Sequence, residues 1–256
     1  MSDGQHWTAL VLAGERPGGD PLARAAGVPL KALLPVGGEP MVLRPVRALL
    51  ESGVVSEVRV LAQEPERLQP ILPDAVTAER SDGTIAETIA RLCADPATRW
   101  PLLVTTADHA LLDADIVREF VSTASTADVA IGMVERRPLL ARFPQAQRTW
   151  LNFREGAYSG ANLFALTSPR AAVAIEQWRA VEQDRKKGWR VVAQFGWPLL
   201  LGAVLRLRSI HQTAGSLGRK LGLRLRVVEL GNPVAAIDVD KPADLELVEA
   251  ILAGRA

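Results

Sequence analysis

The sequence predicts an α/β sandwich: a single domain, residues 1–256, built on a mostly parallel central sheet. Three observations carry this. Short apolar runs alternate with amphipathic stretches of about ten residues, the pattern of repeated strand–helix–strand units joined by right-handed crossovers. The first apolar run breaks into a glycine-rich turn. The chain of 256 residues, 48% hydrophobic and 23% charged, is long enough to bury one large core and has the composition of an ordinary globular protein.

Each element follows in order. Thr8 to Ala13 is a buried strand, broken by Gly14-Glu15-Arg16-Pro17-Gly18-Gly19-Asp20. Met41 to Ser52 places Val42, Val46, Leu49 and Leu50 on one helical face and ends at Gly53. Val58 to Leu61 is a strand, Glu66 to Ile71 a short helix, Ala75 to Thr77 a strand, and Thr84 to Cys93 a helix. Pro101 to Thr106 reads as a buried strand ending in Ala107-Asp108-His109, with a helix opened by Asp113 or Ala114 and a strand from Val129 to Val134. The second half is less regular. Arg137 to Arg154 has no clear period and reads as loops with a short strand. Asn162 to Leu166 is a strand, and Pro169 to Gln183 and Val191 to Arg206 are helices. Arg224 to Val228 and Ala236 to Val239 are late strands, and Pro242 starts a helix running to Ala253.

Composition excludes several classes. A net charge of +1 exerts no general pull on nucleic acid, so no nucleic-acid partner is expected. The single cysteine, Cys93, lies in the apolar pattern of Ile85, Ile89 and Leu92; a disulfide within the chain is impossible, and a reducing compartment is expected. Met1 to Trp7 lacks the basic-then-apolar design of a signal peptide, which makes the cytoplasm the expected location. The longest apolar stretch, Trp197 to Leu205, falls well short of the roughly 20 residues a spanning helix requires.

The glycine turn reads as a phosphate-binding loop. Without side chains, backbone N–H groups can approach an anion, and Lys31 downstream supplies a compact positive charge. The spacing is neither that of a P-loop nor that of a dinucleotide-binding turn. In a parallel sheet, ligands gather at the C-terminal strand ends. The loops after the first, third and fourth strands therefore bring Gly14, Asp82-Gly83-Thr84 and Asp108 to one edge.

Together these motifs carry a resemblance. Leu12-Ala13-Gly14, then Lys31 with Leu34-Pro35-Val36-Gly37-Gly38-Glu39-Pro40-Met41, then Asp82-Gly83-Thr84, Asp108 and Ile237-Asp238-Val239-Asp240-Lys241-Pro242-Ala243-Asp244-Leu245 span nearly the whole chain. In that order they resemble the nucleotidyltransferases of the GT-A fold, a Rossmann-like αβα sandwich, and most closely the molybdenum-cofactor guanylyltransferase-like, or MobA-like, group. The resemblance implies transfer of NMP from an NTP to a phosphorylated acceptor, with release of pyrophosphate. It implies a nucleotide-binding half at about residues 7–135 and an acceptor-binding half at about 136–256. Leu12, Ala13, Gly14, Glu15, Arg16, Lys31, Asp82, Gly83, Thr84 and Asp108 would contact the nucleotide, whose base stays open. Lys31, Arg16 and Asp108 would be catalytic, and Asp108, Asp238 and Asp240 would hold one Mg²⁺ or Mn²⁺ ion. Tyr158, Ser159, Gly160 and Asn162 would line the acceptor pocket.

Some readings stay double. Thr84 either caps its helix or contacts the base; His109 either positions its neighbours or faces solvent. Glu15 stands where the family has a second glycine, and a carboxylate beside a triphosphate is unfavourable unless it points away or helps with metal. Arg16 is the substitute for the family's pyrophosphate-binding arginine, with Arg24 as second choice. A GT-A glycosyltransferase using an NDP-sugar and a non-catalytic nucleotide-binding relative are the alternative functions. Arg136, Arg137, Arg142, Arg148 and Arg154 with Trp150 suggest an anionic acceptor. Trp178, Trp189 and Trp197, with Lys186, Lys187, Arg190, Arg206 and Arg208, read either as a packed helical region or as a peripheral membrane contact.

Overall fold

The computed structural model describes residues 6–15, 18–183 and 207–255. Strand β1 (Trp7–Leu12) is central: it pairs in parallel with β4 (Val55–Ala62) on one side and β6 (Leu102–Thr106) on the other. Ala9 and Val11 enter one core and Leu10 the other, so a nearly continuous apolar run is what a strand covered on both faces requires. Strand β5 (Val76–Arg80) extends the parallel array beyond β4. A two-residue hairpin, β2 (Pro35–Val36) and β3 (Glu39–Pro40), lies apart from the main sheet.

Past β6 the pattern changes. Strand β9 (Ala157–Leu166) runs antiparallel between β6 and β7 (Val129–Glu135), and β10 (Leu225–Glu229) pairs in parallel with β7. The order is β10-β7-β9-β6-β1-β4-β5, with the short β8 (Leu151–Asn152) on β9. The sheet is thus mostly parallel, as expected.

Helices cover both faces. After α1 (Pro21–Ala26), α2 (Leu43–Glu51) packs against α5 (Ala114–Ala124), where Val46, Leu49, Ile116 and Phe120 are buried. Following α3 (Pro65–Leu68), α4 (Ile85–Ala94) lies with α7 (Ala172–Gln183) on the other face, where Ile89, Cys93 and Ile175 join Leu10 and Val104. Burial pushes the Cys93 thiol up to about 11, so it is an inert core group. Asp113 caps α5 by accepting from the Ile116 N–H at 2.8 Å.

The second half departs from expectation in three places. Arg136–Arg142, expected as loop, is a helix, α6, with Pro138 in its first turn, where no intrahelical N–H bond is lost. Ile210–Leu221, left unassigned by the pattern, is α8. Ala236–Val239 is not a strand: Pro233–Ala236 is a 3-10 turn, and the chain leaves it extended at Ile237 (φ −101°, ψ 106°) with no ladder partner among the described residues. The alternation is nonetheless real. Ile237 and Val239 are fully buried, which turns Asp238 and Asp240 outward. The last helix, α9 (Pro242–Leu252), begins at Pro242 as expected. Among the described residues no helix is long and apolar enough to cross a membrane. The helix expected over Val191 to Arg206 lies outside the described residues, as do Lys186, Lys187, Trp189, Arg190 and Trp197; the Trp178 side chain is also not described.

Candidate active site

Four parallel strands end on one edge, and their ladders run one step further: Ala13 N–H donates to Leu61, Ser81 N–H to Ala62, and Ala107 N–H to Leu12 (2.8–2.9 Å). Beyond these bonds the loops open. Leu12 and Ala13 finish β1, and Gly14 follows beside Gln63, a residue the sequence reading did not single out. A Cβ at position 14 would stand 3.1 Å from Gln63 Nε2, a tight approach that the Gln63 amide would have to yield to by a few tenths of an ångström. Gln63 bonds the Glu15 backbone from both sides, and the Glu15 carboxylate accepts from the Lys31 backbone N–H. Glu15 therefore points back onto its own loop.

Lys31 opens a 3-10 turn, Lys31–Leu33, anchored by buried Leu30, Ala32 and Leu34. With the backbone fixed, its side chain reaches along the edge. Nζ stands 2.7 Å from Asp108 Oδ2 and 2.9 Å from Asp240 Oδ1, so one ammonium bridges two carboxylates. The Lys31 side chain is only 16% exposed. Burial acts to lower its pKa, but the two carboxylates outweigh it and hold the ammonium above its ordinary value.

Asp240 is delivered there by the segment after the 3-10 turn. Val239 N–H donates to the Asp108 carbonyl (3.1 Å), which stitches the segment to the end of β6. Asp244, in the first turn of α9, accepts from the Asp240 and Lys241 N–H groups (3.2 and 3.0 Å). Asp240 thus does not cap the helix; Asp244 does, and the Asp240 carboxylate is left for Lys31.

Asp238, expected beside Asp108 and Asp240, faces other partners. Arg148, 8% exposed, bonds Asp238 Oδ1, the Asp238 carbonyl (2.9 Å) and Asp244 Oδ1 (3.0 Å), while Asn162 Nδ2 donates to Asp238 Oδ2 (2.9 Å). Desolvation, opposed by Arg148 and reinforced by Asp108 and Asp240, raises the Asp238 carboxyl to about 6. Asn162 reaches it from an irregularity in β9, where the register with β7 shifts and Asn162 takes φ 48°. Asparagine tolerates that left-handed conformation better than most residues, and the irregularity re-aims its side chain between buried Ala161 and Leu163.

The other expected residues divide. Asp82, Gly83 and Thr84 follow β5 on the same edge, two strands from β1. Thr84 caps α4 in a reciprocal box with Glu87: its side chain accepts from the Glu87 N–H (3.2 Å), and Glu87 accepts from the Thr84 N–H (2.9 Å). Arg16 lies outside the described residues; Arg24 donates to the Gly18 carbonyl (2.6 Å). Tyr158 is buried with Met133, Ile210, Ala214 and Val227, Ser159 is buried, and Gly160 is exposed. Of the four residues expected to line the acceptor pocket, Asn162 is the one bonded to the acidic segment. Arg148, expected to receive an anion, is instead the buried partner of two aspartates. His109 is fully buried, its Nδ1 3.3 Å from Thr105 Oγ1, and burial pushes it down to about 4 against the pull of Asp108. It is a neutral packing and positioning group, not a solvent-facing one.

Among the described residues no group of three or more His, Cys, Asp or Glu side chains stands ready to hold a metal. Asp108 and Asp240, however, already share one cation, the Lys31 ammonium, and Asp108 Oδ1 is buried without a partner among the described residues. Two carboxylates with substrate phosphates and water suit Mg²⁺, which rarely takes an all-protein cage. The donor set fits.

The profile described as MobA-like NTP transferase domain matches residues 9–220. A hypothetical transferase from Thermus thermophilus is 28% identical, with TM-score 0.80 over 94% of this chain and 99% of that chain. The 2-C-methyl-D-erythritol 4-phosphate cytidylyltransferase from Thermus thermophilus shares the fold at 16% identity and TM-score 0.55 (97% and 99% covered). So does a CMP:2-keto-3-deoxy-manno-octonic acid synthetase complexed with CTP, at 15% identity and TM-score 0.60 (98% and 100% covered). No curated protein sequence matches the chain.

Proposed function

The chain belongs to the MobA-like NTP transferase domain family, and from that premise we propose that it transfers a nucleoside monophosphate from an NTP to a small phosphorylated acceptor. The observation that carries this reading is the Lys31 ammonium bridging Asp108 and Asp240 beside the glycine loop. An oxygen of the acceptor phosphate attacks the α-phosphorus, the bond from the α-phosphorus to the bridging oxygen breaks, and pyrophosphate leaves. Such chemistry is positioning and charge neutralisation more than covalent catalysis.

Lys31 neutralises charge on the transferred phosphoryl group, a contribution of several kcal/mol, on the order of a thousandfold in rate. Asp108 and Asp240 would hold Mg²⁺ or Mn²⁺, which when bound would supply charge neutralisation for the triphosphate. Asp238, committed to Arg148 and Asn162, keeps the 238–240 segment in place. The glycine loop, with Arg16 or Arg24, receives the triphosphate, and Asp82-Gly83-Thr84 lies on the side of the base. Gly160, Asn162 and the exposed Arg136, Arg137, Arg142 and Arg154 form the acceptor side. The solved relatives named for a methylerythritol phosphate and for an octonic acid support an anionic, hydroxylated acceptor.

The test is to offer each of the four NTPs, with Mg²⁺, alongside a panel of phosphorylated sugars and polyols and to follow pyrophosphate. Acceptor-dependent pyrophosphate release is the expected result. Glycosyl transfer from an NDP-sugar, with no pyrophosphate from any NTP, would overturn the proposal.

A further inference from the structure

Contacts far apart in sequence join the glycine loop to the lysine that follows it. Gln63 stands just past the end of β4. Its Nε2 donates to the Glu15 carbonyl (3.1 Å), and its Oε1 accepts from the Glu15 N–H (2.9 Å). An amide that donates to and accepts from one residue does the work of a further rung of a β-ladder, so the turn is held in the register of β1 and β4. Held there, Glu15 sends its carboxylate across the loop to the Lys31 backbone N–H. That N–H begins a 3-10 turn whose preceding residue, Leu30, offers no side-chain acceptor. An ionised acceptor makes the bond stronger than a neutral one.

We infer that Glu15 and Gln63 are positioning residues, a strap from β4 through the glycine loop to the Lys31 backbone that sets where the Lys31 ammonium stands. The inference rests on the reading of Lys31 as the charge-neutralising residue. It also accounts for a carboxylate where the family has a glycine: tied to a backbone donor, Glu15 does not face the incoming triphosphate. The strap ends on backbone, so neither residue touches reacting atoms.

The test compares E15G, E15Q and Q63L with the natural chain by amide hydrogen exchange at Lys31 and by steady-state kinetics. E15Q keeps a side-chain oxygen that can accept from the Lys31 N–H; E15G removes it; Q63L removes both bonds to Glu15 at similar size. Exchange at the Lys31 amide is expected to quicken by about tenfold or more in E15G and Q63L. In E15Q it stays near the natural rate. kcat is expected to fall by about a hundredfold in E15G, as a displacement of about 1 Å can cause, with KM for the acceptor little changed, and E15Q recovers most of the loss. Unchanged Lys31 exchange in E15G and Q63L would overturn the strap, and so would E15Q as impaired as E15G. Faster exchange with unaltered kcat would overturn the positioning role. Exchange needs no substrate, so a chain that released no pyrophosphate would defeat the transferase reading by a separate measurement. If E15G does not fold, Q63L carries the same comparison.

Discussion

Lys31 holds Asp108 and Asp240 with a single ammonium, which decides what its removal does. Lys31→Met is expected to lower turnover by about a thousandfold. It also leaves two neighbouring carboxylates without their shared cation, so Mn²⁺ binding to the nucleotide-free protein should tighten by about tenfold, as read by titration. Equal Mn²⁺ affinity in both proteins would mean that the lysine and the metal do not use the same oxygens. Arg148 makes the opposite case. It is nearly buried between Asp238 and Asp244, so Arg148→Met strands two acids and should cost about 3–5 kcal/mol in urea unfolding. A loss under about 1 kcal/mol would show that the pairing is not what holds the segment. Lys31, Asp108 and Asp240 were legible because each sits in a local motif at a strand end or helix start. Gln63 was not, nor were the acidic partners of Arg148, since these contacts span 48 and 90 residues and no local pattern marks a side chain that bonds distant backbone or acids.

At the scale of elements, the edge of the sheet opposite the site is tied by Asp128. Its Oδ2 accepts from the Arg224 N–H (2.7 Å), and its Oδ1 from the Arg224 guanidinium (3.2 Å), which joins the starts of β7 and β10. These bonds hold the Asp128 carboxyl below its ordinary value. A lowered folded-state pKa means that the stabilisation is complete above the usual carboxylate range and is lost as pH falls through it. Asp128→Asn is therefore expected to cost about 1.5–3 kcal/mol at neutral pH. The gap to the natural chain should close in acid, by denaturant unfolding at a series of pH values, and pyrophosphate release should be unaffected. A gap that widened in acid would reverse the assignment.

The elements also show why the second half was harder to read. The helix α8 contains Gly215 and Gly218, which weaken the helical signal. Gly218 is required because a Cβ there would stand 2.6 Å from the Leu223 carbonyl, where the helix meets the chain entering β10. In β9 the irregularity at Asn162 breaks the period of two, so the pattern revealed only Asn162 to Leu166 of a strand that begins at Ala157. The strand expected over Ala236–Val239 is absent although Ile237 and Val239 are buried, because burial of alternate residues needs a core beneath the segment and not a neighbour beside it.

For the whole molecule, parallel strands bring loops from residues 13–15, 63, 81–84 and 107–109 to one edge, and the 237–244 segment closes it through the Val239–Asp108 backbone bond. That convergence follows from topology, which is why the family and the fold could be read from the order of motifs alone. The acceptor could not, since it depends on β9 and on segments with no period. The proposed function assigns nucleotidyl transfer to the Lys31–Asp108–Asp240 constellation. Phosphorus NMR of a reaction of NTP, Mg²⁺ and the accepted phosphorylated substrate tests it most directly, run with the natural chain and with Asp108→Asn after both are shown to be folded. Paired signals of a new diphosphate diester together with free pyrophosphate are expected in the natural chain, and at least about a hundredfold slower appearance of both in Asp108→Asn. The same two signals at equal rates in both proteins would contradict it.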